Sequence, residues 1–152
     1  MPTWAEFGAA APDLGCFGRR RLEGRVAYLA TIRRDGSPRV HPVSPFIGGG
    51  SLLVYMEPNS PKVRDLRRDG RYALHCGVEN DDGGEGEFCV SGRAFEVCDS
   101  ASRATAFDSA RAVGHQPTER HVVFELNVES VSCTVYGERR TQKRWPAIRP
   151  AP

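Results

Sequence analysis

From Arg25 to Gly137 the apolar residues come in short runs rich in β-branched and aromatic side chains, and the runs are separated by turn-forming clusters of Gly, Pro, Asn and Asp. Such runs read as strands. "RVAYLATIRR" (25–34) is the first, and "RDGS" (34–37) turns it, because Gly36 can take positive φ. "PRVHPVSPFI" (38–47) is the second. Pro42 and Pro45 cannot donate to a ladder, so this strand is expected at an edge or bulged. "GGGS" (48–51) leads into "SLLVYME" (51–57). "RYALHCGV" (71–78), "EFCVSGRAFEVC" (87–98), "HVVFELNV" (121–128) and "SVSCTVYG" (130–137) complete six to seven antiparallel strands, with a bend or bulge at Gly92. Helical patterns cover 4–22, with breaks at Pro12 and Gly15, the stretch after Ser60, and 99–113. The chain lacks the regular β-α alternation of a doubly wound sheet. No Gly-x-Gly-x-x-Gly follows a strand, which excludes a Rossmann dinucleotide site. The pattern predicts a mainly β protein: a closed or partly closed β-barrel with a few helices.

At 152 residues the chain has the size of a single domain. A net charge of +2 argues against general nucleic-acid binding. No apolar run reaches membrane-spanning length, and the N-terminal stretch lacks the pattern of a signal peptide, so a cytoplasmic location is expected. The five cysteines include no Cys-x-x-Cys pair and read as buried reduced thiols. The four histidines show no metal-ligand spacing.

The segment "YMEPNSPKVRDLRRDGR" (55–71) carries the most chemistry. Ser60 reads as an N-cap and Pro61 as the first helical residue. Lys62, Arg64, Arg67 and Arg68 crowd the helix with cations. A helix N-terminus attracts anions through its free N–H groups and the macrodipole. Upstream, Arg39, His41 and Val43 alternate onto one face of their strand, and Arg39 can offer a forked pair to phosphate. Together they predict a phosphate seat.

These pieces in this order resemble the pyridoxamine-phosphate-oxidase-like superfamily, the flavin-binding split β-barrels. The resemblance covers about residues 22–136. It is carried by "LATIRRDGSPRVHPV" and "YMEPNSPKVRDLRRDGRYAL". It implies one Greek-key-like, FMN-binding split-barrel domain over 1–152, with an N-terminal helix and a tail from about 138. By the same resemblance, Arg39, Val40, His41, Pro42, Val43 and Ser44 run along the flavin phosphate and ring edge. Tyr55 and Met56 lie along the isoalloxazine, and Ser60, Pro61 and Lys62 hold the phosphate. Glu87 falls where the oxidase places a Gln against the flavin. The oxidase usually has Arg at the position of Pro61. Its C-terminal Trp and Arg-x-His substrate motif have no match in "HVVFELNVESVSCTVYG", which argues against vitamin B6 oxidation.

The implied function is an FMN-dependent oxidoreductase acting on a small molecule. One alternative is a reductase using the deazaflavin coenzyme F420, with Arg64, Arg67 and Arg68 attracting its acidic tail. The other is a flavin- or haem-binding protein without turnover, with His75, His115 or His121 as axial ligand. The family also implies a homodimer with the cofactor at the interface. Leu29, Val43, Val54 and Phe124 are expected to be too many for one small interior. The Arg- and Pro-rich tail, with Trp145, is expected to lie across the partner.

Overall fold

The computed structural model describes residues 1–146. Two helices open the chain, α1 (Trp4–Ala10) and α2 (Pro12–Leu22). Strands β1 (Ala27–Ile32), β2 (Pro38–Val43), β3 (Phe46–Gly48) and β4 (Ser51–Met56) follow. Then come α3 (Pro61–Arg68), β5 (Arg71–Cys76), β6 (Glu87–Glu96), α4 (Ser100–Ala112), β7 (Val122–Val135) and β8 (Thr141–Trp145). One antiparallel sheet runs β2-β1-β5-β6-β7-β4-β3, and β8 also pairs with β7. The β5-β6-β7 meander with β4 returned beside β7 is a Greek key. β2 and β3 lie at opposite ends of the sheet path, yet only Ser44 and Pro45 separate them in the chain. The two ends are therefore held together, and the sheet curls into a barrel split at this seam.

Several sequence expectations change. The expected second strand, 38–47, is two strands, because Pro45 breaks the ladder between them. β2 is an end strand, as its prolines require. The expected strands 121–128 and 130–137 are one long β7, with Glu129 accommodated by a register shift opposite Ser91 and Gly92. Gly92 permits this: a Cβ there would meet Asn127 O at 2.0 Å. Gly15 does not break α2; it lets α2 approach α1, with a Cβ at that position 3.0 Å from Gly8 Cα. The sheet has eight strands where six to seven were expected, and the extra one comes from the tail. β8 pairs with this chain's own β7, and Trp145 packs edge-on to Phe7 at 5.2 Å between centroids. Residues 147–152 of the expected arm lie outside the described residues.

The core has two parts. Inside the barrel, Leu29, Val43, Val54 and Phe124 all belong to one cluster with Phe7, Leu22, Leu74 and Phe88. The expectation that these four could not share an interior was wrong, because the register turns each of them inward. A second, smaller cluster lies outside the barrel. There α4 lays Ala106, Phe107 and Ala110 over Phe46, Leu53 and Val123. β4 is thus covered on both faces: Leu52, Val54 and Met56 point into the barrel, and Leu53 and Tyr55 lie under α4. No helix among the described residues is long and apolar enough to cross a membrane.

Candidate functional site

The site is built where α3 meets β1 and β2. Arg39 is opposite Thr31 and His41 opposite Leu29. Directly paired residues point to one face, so both side chains turn inward, toward α3. There Arg39 Nε donates to Asp65 Oδ2 at 2.7 Å. Thr31 Oγ1 donates to the same oxygen at 2.9 Å, and Arg68 Nη2 to Oδ1 at 3.3 Å. Asp65 is 3% exposed. Burial alone would raise its carboxyl, but the bonds from Arg39, Thr31 and Arg68 outweigh burial and hold it below its ordinary value. The carboxylate thereby pins the Arg39 guanidinium through Nε. The terminal nitrogens of Arg39 make no hydrogen bond among the described residues.

At the start of α3, Ser60 occupies the N-cap with extended backbone, and Pro61 the first helical position. The position matches the sequence reading, but the expected bond does not form: the Ser60 hydroxyl caps nothing, and its Oγ is buried without a partner. His41 Nε2 is likewise buried and unpartnered. A buried polar atom left without a partner costs about 1–3 kcal/mol and calls for a physical explanation. Lys62 is half-buried, and burial pushes its ammonium below the ordinary lysine value.

The other cations of α3 are committed. Arg64 donates to Asn59 O at 3.1 Å, and Arg67 grips both oxygens of Glu96 at 2.7 Å. Arg68 holds Asp65 and the Ile32 carbonyl. Arg67 and Arg68 are ion-paired, Arg64 bonds only a neutral carbonyl, and Lys62 has neither an ion pair nor a side-chain hydrogen bond among the described residues. Burial, then Lys62, then Arg39 lower the basicity of His41. Ser60 Oγ and the unpaired Lys62 ammonium stand at the start of α3, the His41 imidazole lies near enough to feel Lys62 and Arg39, and the Arg39 guanidinium is pinned one turn further along the helix at Asp65. That donor set fits the oxygens and charge of a phosphate.

The remaining expected site residues are dispersed. Val43 and Met56 are core residues, at 8% and 3% exposure. Val40, Pro42 and Ser44 are exposed, and Val40 points away from the barrel interior. Tyr55 is on the opposite face of β4 from Met56, edge-on to His115 and His121 at 5.6 and 5.2 Å. Glu87 begins β6, three strands from β2, and accepts from Tyr136 Oη at 2.9 Å, so within one chain it does not join the cluster. Sequence reasoning missed Asp65 and Thr31. The signal for Asp65 was its place as the one acid among the cations of α3.

The histidines offer little to a metal. His121 Nδ1 accepts from Thr118 N at 2.9 Å while Nε2 faces Glu57 at 3.3 Å. His115 Nε2 is buried. No group of three His, Cys, Asp or Glu is placed to hold a metal among the described residues. A cleft between α4 and the β3–β4 hairpin is lined by Glu96, Asp99 and Glu125 and has none of the cations an anion needs.

A sequence model of the pyridoxamine 5'-phosphate oxidase family matches residues 20–134. Among solved structures, a conserved hypothetical protein from Mycobacterium tuberculosis superposes with a TM-score of 0.64 at 18% identity, covering 76% of this chain and 79% of that one. A heme binding protein from Mycobacterium smegmatis also reaches 0.64, at 21% identity, covering 93% of this chain and 58% of that one. An F420 reductase gives 0.56 at 19% identity, over 73% of this chain and 91% of that one. At these identities the likenesses bear on fold alone. No curated protein matches the sequence significantly.

Proposed function

Because the chain belongs to the pyridoxamine 5'-phosphate oxidase family, we propose that it binds the phosphate of FMN at the β2–α3 corner and acts as a flavin-dependent oxidoreductase on a small molecule other than a B6 vitamer. One observation carries the reading: Ser60 Oγ and His41 Nε2 are buried without partners beside Lys62, a cation with no counter-ion. Arg39, held by Asp65, and the backbone N–H of Lys62 complete the donor set, since Pro61 has no N–H and those of Val63 and Arg64 already donate to Ser60 O. When bound, FMN supplies the hydride or electron transfer, and the protein supplies binding, orientation and electrostatics.

A second copy of the chain would supply the other wall. Val26 just before β1, Tyr28 on β1 and Val40 on β2 are 51%, 47% and 62% exposed, an apolar strip suited to a symmetric partner. Light scattering at low micromolar concentration reads the assembly, and a monomer that binds FMN at full affinity removes the shared-wall part.

The binding test titrates the full-length protein with FMN, riboflavin, F420 and haem, followed by absorbance and fluorescence. FMN binding well above riboflavin supports the reading. Preference for F420 moves the protein to the deazaflavin class, which Arg67 and Arg68 favour less because Glu96 and Asp65 already hold them. A Soret band with no flavin binding overturns it.

A further inference from the structure

The proposed phosphate site contains a nitrogen that is neutral for a structural reason. His41 Nε2 is sealed from solvent and has no hydrogen-bond partner. The charged groups facing the ring are Lys62 and Asp65 from α3, Arg39 from β2 itself, and Arg33 after β1. Three of these four are cations, and Asp65 is already engaged by Arg39, Thr31 and Arg68. Burial and the neighbouring cations both work against an imidazolium here.

An incoming phosphate monoester reverses both effects. Its oxygens can accept from Nε2 once the ring holds a proton on both nitrogens, a donor that nothing in the free protein would receive, and its charge turns the local repulsion into attraction. We infer that His41 takes up a proton as a phosphate monoester binds, so that it becomes a third cationic contact and ligand affinity falls as pH rises. The inference rests on the phosphate seat of the proposed function.

The sign follows from linkage. Free His41 titrates below the ordinary value of about 6.5, and in the complex it titrates higher. The extra binding free energy is therefore fully present below the free value and is lost as pH rises through the bound one. The ligand's own second ionisation, near pH 6, acts oppositely, because the phosphate gains charge as pH rises. Above about pH 7 the ligand is largely dianionic and the histidine dominates the trend.

Calorimetric titration of FMN and of riboflavin into the full-length protein tests this, in two buffers of different ionisation enthalpy at pH 7. FMN is expected to bind with net proton uptake and riboflavin without it. Between pH 7 and 8 the wild-type FMN affinity is expected to fall, by at most about tenfold for one linked proton. His41→Gln and His41→Asn are expected to abolish the uptake and flatten the profile while melting cooperatively. FMN binding without proton uptake, or with the same pH profile in both variants, overturns the inference and leaves the phosphate seat standing. Equal affinity for FMN and riboflavin removes the seat itself, and the inference with it.

Discussion

Lys62 and Arg39 should both matter for binding yet differ in sign for the free protein. Lys62→Ala removes a half-buried ammonium with no ion pair. If it makes one charged hydrogen bond to phosphate, its loss costs about 1.5–3 kcal/mol of FMN binding. That is a roughly 10- to 150-fold weaker Kd. The free protein loses only a desolvated charge, so its melting temperature should hold or rise. Arg39→Ala should weaken FMN comparably, but it also strips Asp65, 3% exposed, of its shortest hydrogen bond. Breaking a buried pair costs roughly 3–5 kcal/mol in general. With Thr31 and Arg68 still donating, the lower end applies, and about 3 kcal/mol lowers the melting temperature of a chain this size by roughly 6–12 °C. Flavin fluorescence quenching gives the affinities, and thermal melts of the free protein give the stabilities. Unchanged FMN affinity in Lys62→Ala, or equal destabilisation of the free protein by both variants, refutes the reasoning.

Three further outcomes follow from the geometry. The Asp65 carboxyl is held low, so the stability it confers is present above the ordinary value of about 3.9 and lost as pH falls through the native one; acid melts of Asp65→Asn should be less stable near neutrality and flatter below pH 4. Gly92→Ala drives a Cβ to 2.0 Å from the Asn127 carbonyl, and because backbone cannot step aside cheaply it should lower the urea midpoint by the equivalent of about 1–3 kcal/mol or more. Truncation after Gly137 removes β8 and uncovers Phe7 and one edge of β7, so the shortened chain should melt lower and gain aggregation on heating.

The parts of the fold that follow from local chemistry were legible in the sequence. Pro42 placed β2 at an end of the sheet, Gly92 marked the bulge, and Ser60-Pro61 gave the start of α3. What required three dimensions was harder to read. Glu129 looks like a strand break in one dimension, yet a register shift absorbs it. β8 is hidden because Thr141–Trp145 is mostly polar, and its pairing partner is what makes it a strand. At the site, the sequence already joined Arg39 and His41 to Ser60 and Lys62 as one expected seat, and the tertiary fold sets His41 near Lys62 and Arg39. Asp65 stood out in the sequence only as the lone acid of α3, and its positioning role was hidden because its partners, Thr31 and Arg39, lie on other elements far away in the chain.

β7 pairs with β6 along one edge and with β4 and then β8 along the other. This gives biosynthesis an order of risk. A growing chain can form the β1–β2, β3–β4 and β5–β6 hairpins early, but Leu53 waits for Glu125 and Val90 for Val131. Until β7 leaves the ribosome, β4 and β6 each carry an open edge able to recruit a strand from a neighbouring nascent chain. At roughly 5–20 residues per second, the stretch from Val97 to Val135 takes about 2–8 s to make. Over those seconds the unfinished barrel is at its most adhesive, and the arrival of one strand ends the exposure on both sides at once.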